Sequence, residues 1–210
     1  MKTLPQIGSL VLGVALSPLL NADVITIPEI VAKAKPAVVQ IVAVDANQNP
    51  IQTGTGFFIS SDGLLLTNDH VIQKAADLFA RTDTGAIFIF RSVVFRSVDL
   101  DVALLKFAAR GISHVELGSS VGAFEGQRVV VIGSPQVREP TVSYGIISTS
   151  RNNRSSIEIT TPVSPGFSGS PVLDESGLVV GIVTSIGEGG QNLYFATPIE
   201  KFKLAFLAKP

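Results

Sequence analysis

From Ala37 onward the chain is a succession of short runs rich in Val, Ile and Phe, each stopped within a few positions by turn residues. In the first half the runs are Ala37 to Val44, Gly56 to Ser60, Leu64 to Thr67, Ile87 to Phe95 and Val102 to Phe107. Asn47-Gln48-Asn49-Pro50, Ser61-Asp62-Gly63 and Asp83-Thr84-Gly85 punctuate them. A glycine-containing connector, Arg110 to Gly126, leads to Arg128 to Ile132, Thr141 to Thr149, Ser156 to Thr161, Pro171 to Leu173, Leu178 to Ser185 and Leu193 to Thr197. In this half Asp174-Glu175-Ser176-Gly177 reads as a hairpin turn. Branched and aromatic side chains fit a pleated surface, and many short strands with frequent turns restrict the chain to an all-β sandwich or barrel. Two stretches depart from that period. Ile27 to Lys35 carries Ile27, Ile30, Val31 and Ala34 at helical spacing and stops at Pro36. Pro198 to Leu207 carries Ile199, Phe202, Leu204 and Phe206 partly on one face.

Three stretches carry residues capable of chemistry. Pro165-Gly166-Phe167-Ser168-Gly169-Ser170-Pro171 holds a serine among glycines, whose small size lets a substrate carbonyl approach both the hydroxyl and the backbone amides. Alone, the same residues are ordinary turn chemistry. Thr67-Asn68-Asp69-His70-Val71 contains one of only two histidines, and Asp99-Leu100-Asp101-Val102-Ala103-Leu104-Leu105 sets acids before an apolar run. Together they run His, Asp, Ser, the order of the chymotrypsin-type triad and not that of subtilisin or the α/β-hydrolases. Asp99 and Asp101 lie two apart and share a strand face, so Asp99 rivals Asp101. His114 has no acid or serine motif around it and reads as a solvated loop residue.

Composition narrows the partners. With 46% hydrophobic and 16% charged residues the chain is globular, and a net charge of -1 with a pI near 6.1 gives no electrostatic basis for nucleic acid or an anionic membrane. There is no cysteine, hence no disulfide or thiolate site, and two distant histidines argue against a metal site. Residues 1–22 carry Lys2 near the start, continue through the apolar Ile7 to Leu16 and end in Leu20-Asn21-Ala22, the layout of a secretory signal peptide. The alternatives are an uncleaved anchor, disfavoured by an apolar run shorter than about 20 residues and by Pro18, and a buried first helix.

Gly54-Thr55-Gly56-Phe57-Phe58-Ile59, Asp62-Gly63, Thr67 to Val71, Asp101 to Lys106 and Gly166 to Gly169 resemble, in order, the successive motifs of HtrA/Deg-type serine proteases. The resemblance runs from about Ile27 to Lys203. It implies two six-stranded antiparallel β-barrels of the chymotrypsin/trypsin kind with a short C-terminal helix. The expected division is a signal peptide over 1–22, a barrel over 23–117 carrying His and Asp, and a barrel over 118–210 carrying Ser and the closing helix. It implies Ser168 as nucleophile, His70 as base and Asp101, placed directly before the Val-Ala-Leu run, as the acid. The amides of Gly166 and Ser168 would form the oxyanion hole. Thr161, Pro162 and Val163 with Val183, Thr184 and Ser185 would wall the primary pocket; they carry no charge, which favours cleavage after small or aliphatic residues.

The expected activity is that of a secreted or periplasmic endopeptidase acting on unfolded or specific exported proteins. No cofactor and no metal are expected, and homo-oligomerisation as a trimer is implied by resemblance. The alternative is a catalytically silent binding or scaffolding module on the same fold. Phe167 departs from the family, which has a small polar residue there, and so leaves the resting shape of this loop to the structure. Ser170 replaces the usual second glycine, which excludes the Gly-x-Ser-x-Gly elbow of an α/β-hydrolase.

Overall fold

The computed structural model describes residues 25–134, 140–150, 156–186 and 194–209. Within them the chain forms two closed six-stranded antiparallel barrels, one after the other. The first contains β1 (Val38–Val44), β2 (Pro50–Phe58), β3 (Leu64–Thr67), β4 (Asp77–Arg81), β5 (Ile87–Ser97) and β6 (Val102–Phe107). The second contains β7 (Arg128–Gly133), β8 (Thr141–Ser150), β9 (Ile157–Ile159), β10 (Pro171–Leu173), β11 (Val179–Ile186) and β12 (Tyr194–Pro198). Around the first barrel the order is β1-β2-β3-β6-β5-β4, and around the second β10-β11-β12-β9-β8-β7. Renumbered from its own first strand, the second order is the first read backwards, so both halves have the same connectivity. The fold class is the one the sequence resemblance implied. Closure pairs the outer strands with each other and leaves no sheet edge.

The strands carry almost unbroken apolar runs because both of their faces are buried. Phe58, Leu65 and Leu105 point into the first barrel with Ile41 and Phe107. Their chain neighbours Phe57, Leu66 and Leu104 point out of it, into a seam shared with Val130, Ile132, Leu173 and Ile182 of the second barrel. Successive side chains on a strand face opposite ways, so two consecutive apolar residues serve two cores. Val131, Ile147, Ile159, Val172 and Val180 fill the second barrel.

Two helices close the seam. α1 (Ile27–Ala34) buries Ile30 and Ala34 there, and its first turn is fixed by the Glu29 carboxylate, which accepts from the Thr26 amide at 2.8 Å and the Thr26 hydroxyl at 2.7 Å. α3 (Ile199–Leu207) buries Ile199 and Phe202, and the stacked rings of Phe202 and Phe206 both meet Phe95 edge-on. Among the described residues no helix is long and apolar enough to cross a membrane. The expected signal segment lies outside the described residues.

Most strand ends shift by a few residues from the sequence reading, and two differences are larger. β4 was not expected; its Leu78 and Ala80 are buried while Asp77, Phe79 and Arg81 are not, and it pairs with both β1 and β5. β2 starts six residues earlier than the apolar run, at Pro50, because pairing with β1 carries strand structure through the exposed residues Pro50 to Thr53.

Candidate active site

His70 and Asp101 come from the first barrel and face the seam. After β3 the chain turns at Asn68, whose extended backbone starts the four-residue helix α2 (Asp69–Ile72) and brings His70 over the loop between β5 and β6. Asp101 is the second acid of that loop and adopts a φ of +51°, a left-handed conformation that Asp tolerates better than most residues. Its carboxylate takes two bonds from one residue: the His70 backbone amide donates to Oδ1 at 2.9 Å, and His70 Nδ1 lies 2.7 Å from Oδ2. The loop is braced further, because the Asn68 side-chain amide donates to the Asp101 carbonyl at 2.7 Å and the Thr197 hydroxyl donates to the Leu100 carbonyl at 3.0 Å. Asp99 is exposed on the same loop, and no hydrogen bond joins it to His70.

Electrostatics fix the charge preference of the imidazole. The hydrogen bond to the Asp101 carboxylate raises the His70 pKa above its ordinary 6.5; partial burial opposes this, and the charges of Asp101 and Asp69 add to the rise. Asp69 is buried beside His70 and is paired by the Arg96 guanidinium, whose Nη2 also reaches Oδ2 at 3.2 Å. Arg96 therefore compensates a buried carboxylate one residue from the histidine, and nothing in the sequence motif suggested that pairing.

Ser168 comes from the second barrel on two successive turns. The Phe167 amide donates to the Ser164 carbonyl at 3.0 Å, and Gly166, third in that turn after Pro165, has a φ of +96°, the arrangement of a type II turn. The Ser170 amide then donates to the Phe167 carbonyl at 2.9 Å, with Gly169 third in this turn at φ +88°. No side chain fits at Gly169, where a Cβ would stand 2.1 Å from the Thr55 carbonyl oxygen. The loop is docked on β2, since the Thr55 amide donates to the Ser168 carbonyl at 2.8 Å. Ser168 is half-buried, and among the described residues its hydroxyl makes no hydrogen bond to His70. The Gly166 and Ser168 amides likewise have no acceptor among the described residues, so two neighbouring donors of one loop are left open.

Phe167 resolves the question raised by the sequence. Its ring is 3% exposed and packs in the second barrel with Val131, Val163 and Val183. It lies flat against Gly133 at the end of β7, where a Cβ would come within 2.5 to 2.8 Å of the ring atoms. An apolar anchor holds the loop at the position where the sequence resemblance implied a small polar residue. Phe167→Ala is expected to lower unfolding stability by about 3–5 kcal/mol through the cavity it leaves, read as a lower urea midpoint at constant slope.

The residues expected to wall a pocket are differently disposed. Val163 and Val183 belong to the core of the second barrel, and Pro162 is exposed. Thr161 is fully buried with a hydroxyl that has no partner among the described residues, while the half-buried Thr184 donates to the Phe195 carbonyl at 3.2 Å. Ser185 is opposite Phe195 in the β11 to β12 ladder. His114 is exposed, its ring 3.4 Å from the Ile112 carbonyl. Among the described residues no cluster of three or more His, Asp or Glu could hold a metal ion.

Sequence reasoning missed the supporting contacts of Asn68, Arg96, Thr197 and Thr55. Their partners lie 33, 27, 97 and up to 111 residues away, beyond the reach of any local pattern.

Comparison with known proteins agrees with this architecture. The trypsin-like peptidase domain family matches residues 54–182. A protein named as serine protease HhoB from Synechocystis sp. is 36% identical over 160 residues, covering 70% of this chain and 38% of the relative. A protein named as a DegP-like periplasmic serine endoprotease from Pseudomonas fluorescens is 34% identical over 165 residues, 74% of this chain and 34% of the relative. The chain thus spans between a third and two fifths of the length of these relatives. The crystal structure of a serine endoprotease from Yersinia pestis superposes with a TM-score of 0.75 at 27% identity, covering 83% of this chain and 63% of that one.

Proposed function

This chain belongs to the HtrA/DegP-like serine proteases of the trypsin-like peptidase family, and from that membership we propose that it is an exported endopeptidase working through Ser168, His70 and Asp101. The observation that carries the reading is the double grip of one carboxylate on the backbone amide and Nδ1 of His70. That grip directs Nδ1–H at Asp101 and leaves Nε2 as the acceptor. Ser168 Oγ attacks the scissile carbonyl, and Nε2 takes its proton. The oxygen that becomes negative is met by the open amides of Gly166 and Ser168. Collapse expels the amine, which receives the proton from His70, and water then releases the acyl group by the same route. In apo sites the serine-to-histidine bond is commonly loose and tightens only with substrate, which accommodates the open hydroxyl here.

The substrate is an unfolded or specific exported protein, in keeping with the periplasmic names of relatives. Residues 1–22 serve as the export signal, and the boundary near 117 divides the half that supplies base and acid from the half that supplies the nucleophile. Assembly as a trimer follows the family. The uncharged stretches Thr161 to Val163 and Val183 to Ser185 favour small or aliphatic residues before the cut. Digestion of an unfolded protein, with the new termini mapped by mass spectrometry, is expected to give cuts after Ala, Val, Ile or Ser. Cleavage confined to Lys and Arg would overturn the pocket assignment, and no cleavage by the folded protein would favour a silent module.

Activity requires neutral His70. Because its pKa is raised, kcat/KM is expected to climb with pH through a midpoint above 6.5. A pH–rate profile measured with chemistry rate-limiting checks this. A midpoint below 6.5, or a flat profile between pH 6 and 8, would contradict the role of His70 as base.

A further inference from the structure

Thr55, on β2, is hydrogen-bonded both to the end of β3 that leads to His70 and to the loop that carries Ser168. Its carbonyl accepts from the Thr67 hydroxyl at 2.7 Å, three residues before His70. Its amide donates to the Ser168 carbonyl at 2.8 Å. Any residue could make those two backbone contacts. The hydroxyl is different: it donates to the Gly166 carbonyl at 2.7 Å and accepts from the Ser134 amide at 2.9 Å. Ser134 follows Gly133, the glycine on which the Phe167 ring rests. The side chain of one fully buried threonine on the first barrel thus ties the turn of the second barrel that carries the Gly166 amide to the end of β7.

We infer that the Thr55 hydroxyl is a positioning group that holds the Gly166 amide where the oxyanion forms. The inference rests on the proposed function. Gly166, at φ +96°, has no side chain to anchor it, so its amide is aimed only by what its flanking peptides bond to. Its carbonyl has the Thr55 hydroxyl as partner in this buried seam. Without that hydroxyl, the Gly166 carbonyl and the Ser134 amide would both be left without a partner, which is unfavourable for a backbone group away from water. The loop lowers that cost by shifting toward water, and the amide shifts with it. A donor displaced by about 1 Å is worth roughly 10²-fold in rate.

The test compares Thr55→Val, which keeps the shape and loses the hydroxyl, with Thr55→Ser, which keeps the hydroxyl. Three readouts are taken: kcat and KM on a peptide substrate, the rate at which a fluorophosphonate probe labels Ser168, and the urea midpoint. Thr55→Val is expected to lose about 10²-fold in kcat and in labelling rate with KM changed less than about threefold. Thr55→Ser is expected to stay within about fivefold of the parent in both, because the hydroxyl partners are retained. If Thr55→Val does not fold, Thr55→Ala carries the same expectation, since it leaves room for the loop to relax. A Val or Ala variant that is destabilised yet turns over and labels at the parental rate would reduce Thr55 to a structural role and overturn the inference. Equal loss in Thr55→Ser and Thr55→Val would do the same, by removing the hydroxyl from the explanation. A parent protein that neither cleaves nor labels at Ser168 is a different result, and it overturns the proposed function and this inference together.

Discussion

Ser168→Ala is expected to lower kcat for peptide hydrolysis by about 10⁶-fold while leaving KM and the urea midpoint close to those of the parent. The size of the loss comes from the way the three groups work. Without the hydroxyl there is no covalent acyl intermediate, and the base and oxyanion donors have no attacking atom to serve. The small stability effect follows from the surroundings. Ser168 is half-buried, and among the described residues its hydroxyl makes no hydrogen bond to His70, so truncation orphans neither the base nor any part of the Asp101 grip. A surface-like change of that kind lies within about 0.5 kcal/mol. Assays at high enzyme concentration, with purity checked against contaminating protease, resolve the residual rate. A variant that retained more than a hundredth of parental turnover would move the nucleophile elsewhere.

Asp101→Asn is expected to cost about 10⁴-fold in kcat with little change in KM. Asp101 accepts at both oxygens, from the His70 backbone amide and from Nδ1. An asparagine keeps one acceptor oxygen for the backbone amide and turns an NH₂ toward Nδ1. Nδ1 must then be the acceptor, which puts the proton on Nε2 and removes the lone pair that would take the serine proton. The same replacement withdraws the largest cause of the raised His70 pKa, so whatever activity remains should titrate at lower pH than in the parent. Asp99→Asn is the matched control: that acid is exposed two residues away and is expected to be indifferent. If the two substitutions had exchanged effects, the acid would have been assigned to the wrong member of the pair.

The parts of this fold that were legible in the sequence are those whose signal is local. β3, β6 and β10 have bounds equal to their apolar runs, because Leu64 to Thr67, Val102 to Phe107 and Pro171 to Leu173 are buried on nearly all sides and end at turns. The hairpin Asp174 to Gly177 was equally plain: Asp174 Oδ1 accepts from the Ser176 and Leu178 amides, and Gly177 supplies a φ of +75°. β4 was hidden because five residues bounded by Asp77 and Arg81 carry too short an alternation to stand out. It exists through partners 33 to 41 residues behind it in β1. The first half of β2 was hidden for a similar reason, Pro50 and Gly54 being breakers when read alone.

The site divides in the same way. His70, Asp101 and Ser168 were marked by residue type and chain order, and preference for Asp101 over Asp99 came from its place before the apolar run. Phe167 stood out as a departure, but that it anchors the loop depends on Gly133, a neighbour in space only. Thr55 stands between two glycines in the first of the motifs that carry the resemblance, and nothing in that motif says what its hydroxyl bonds. Its hydroxyl matters because residues 79 and 111 positions later fold onto it.

The proposed activity requires base, nucleophile and oxyanion donors to be assembled in the folded protein. The direct measurement is treatment of native protein with a fluorophosphonate probe, with the modified residue located by peptide mass spectrometry and Ser168→Ala and denatured protein as controls. Labelling at Ser168 alone, in native protein alone, is the predicted result. A demonstrably folded sample that takes no label, or takes it at another serine, would contradict the account and leave a silent module on this fold as the better description.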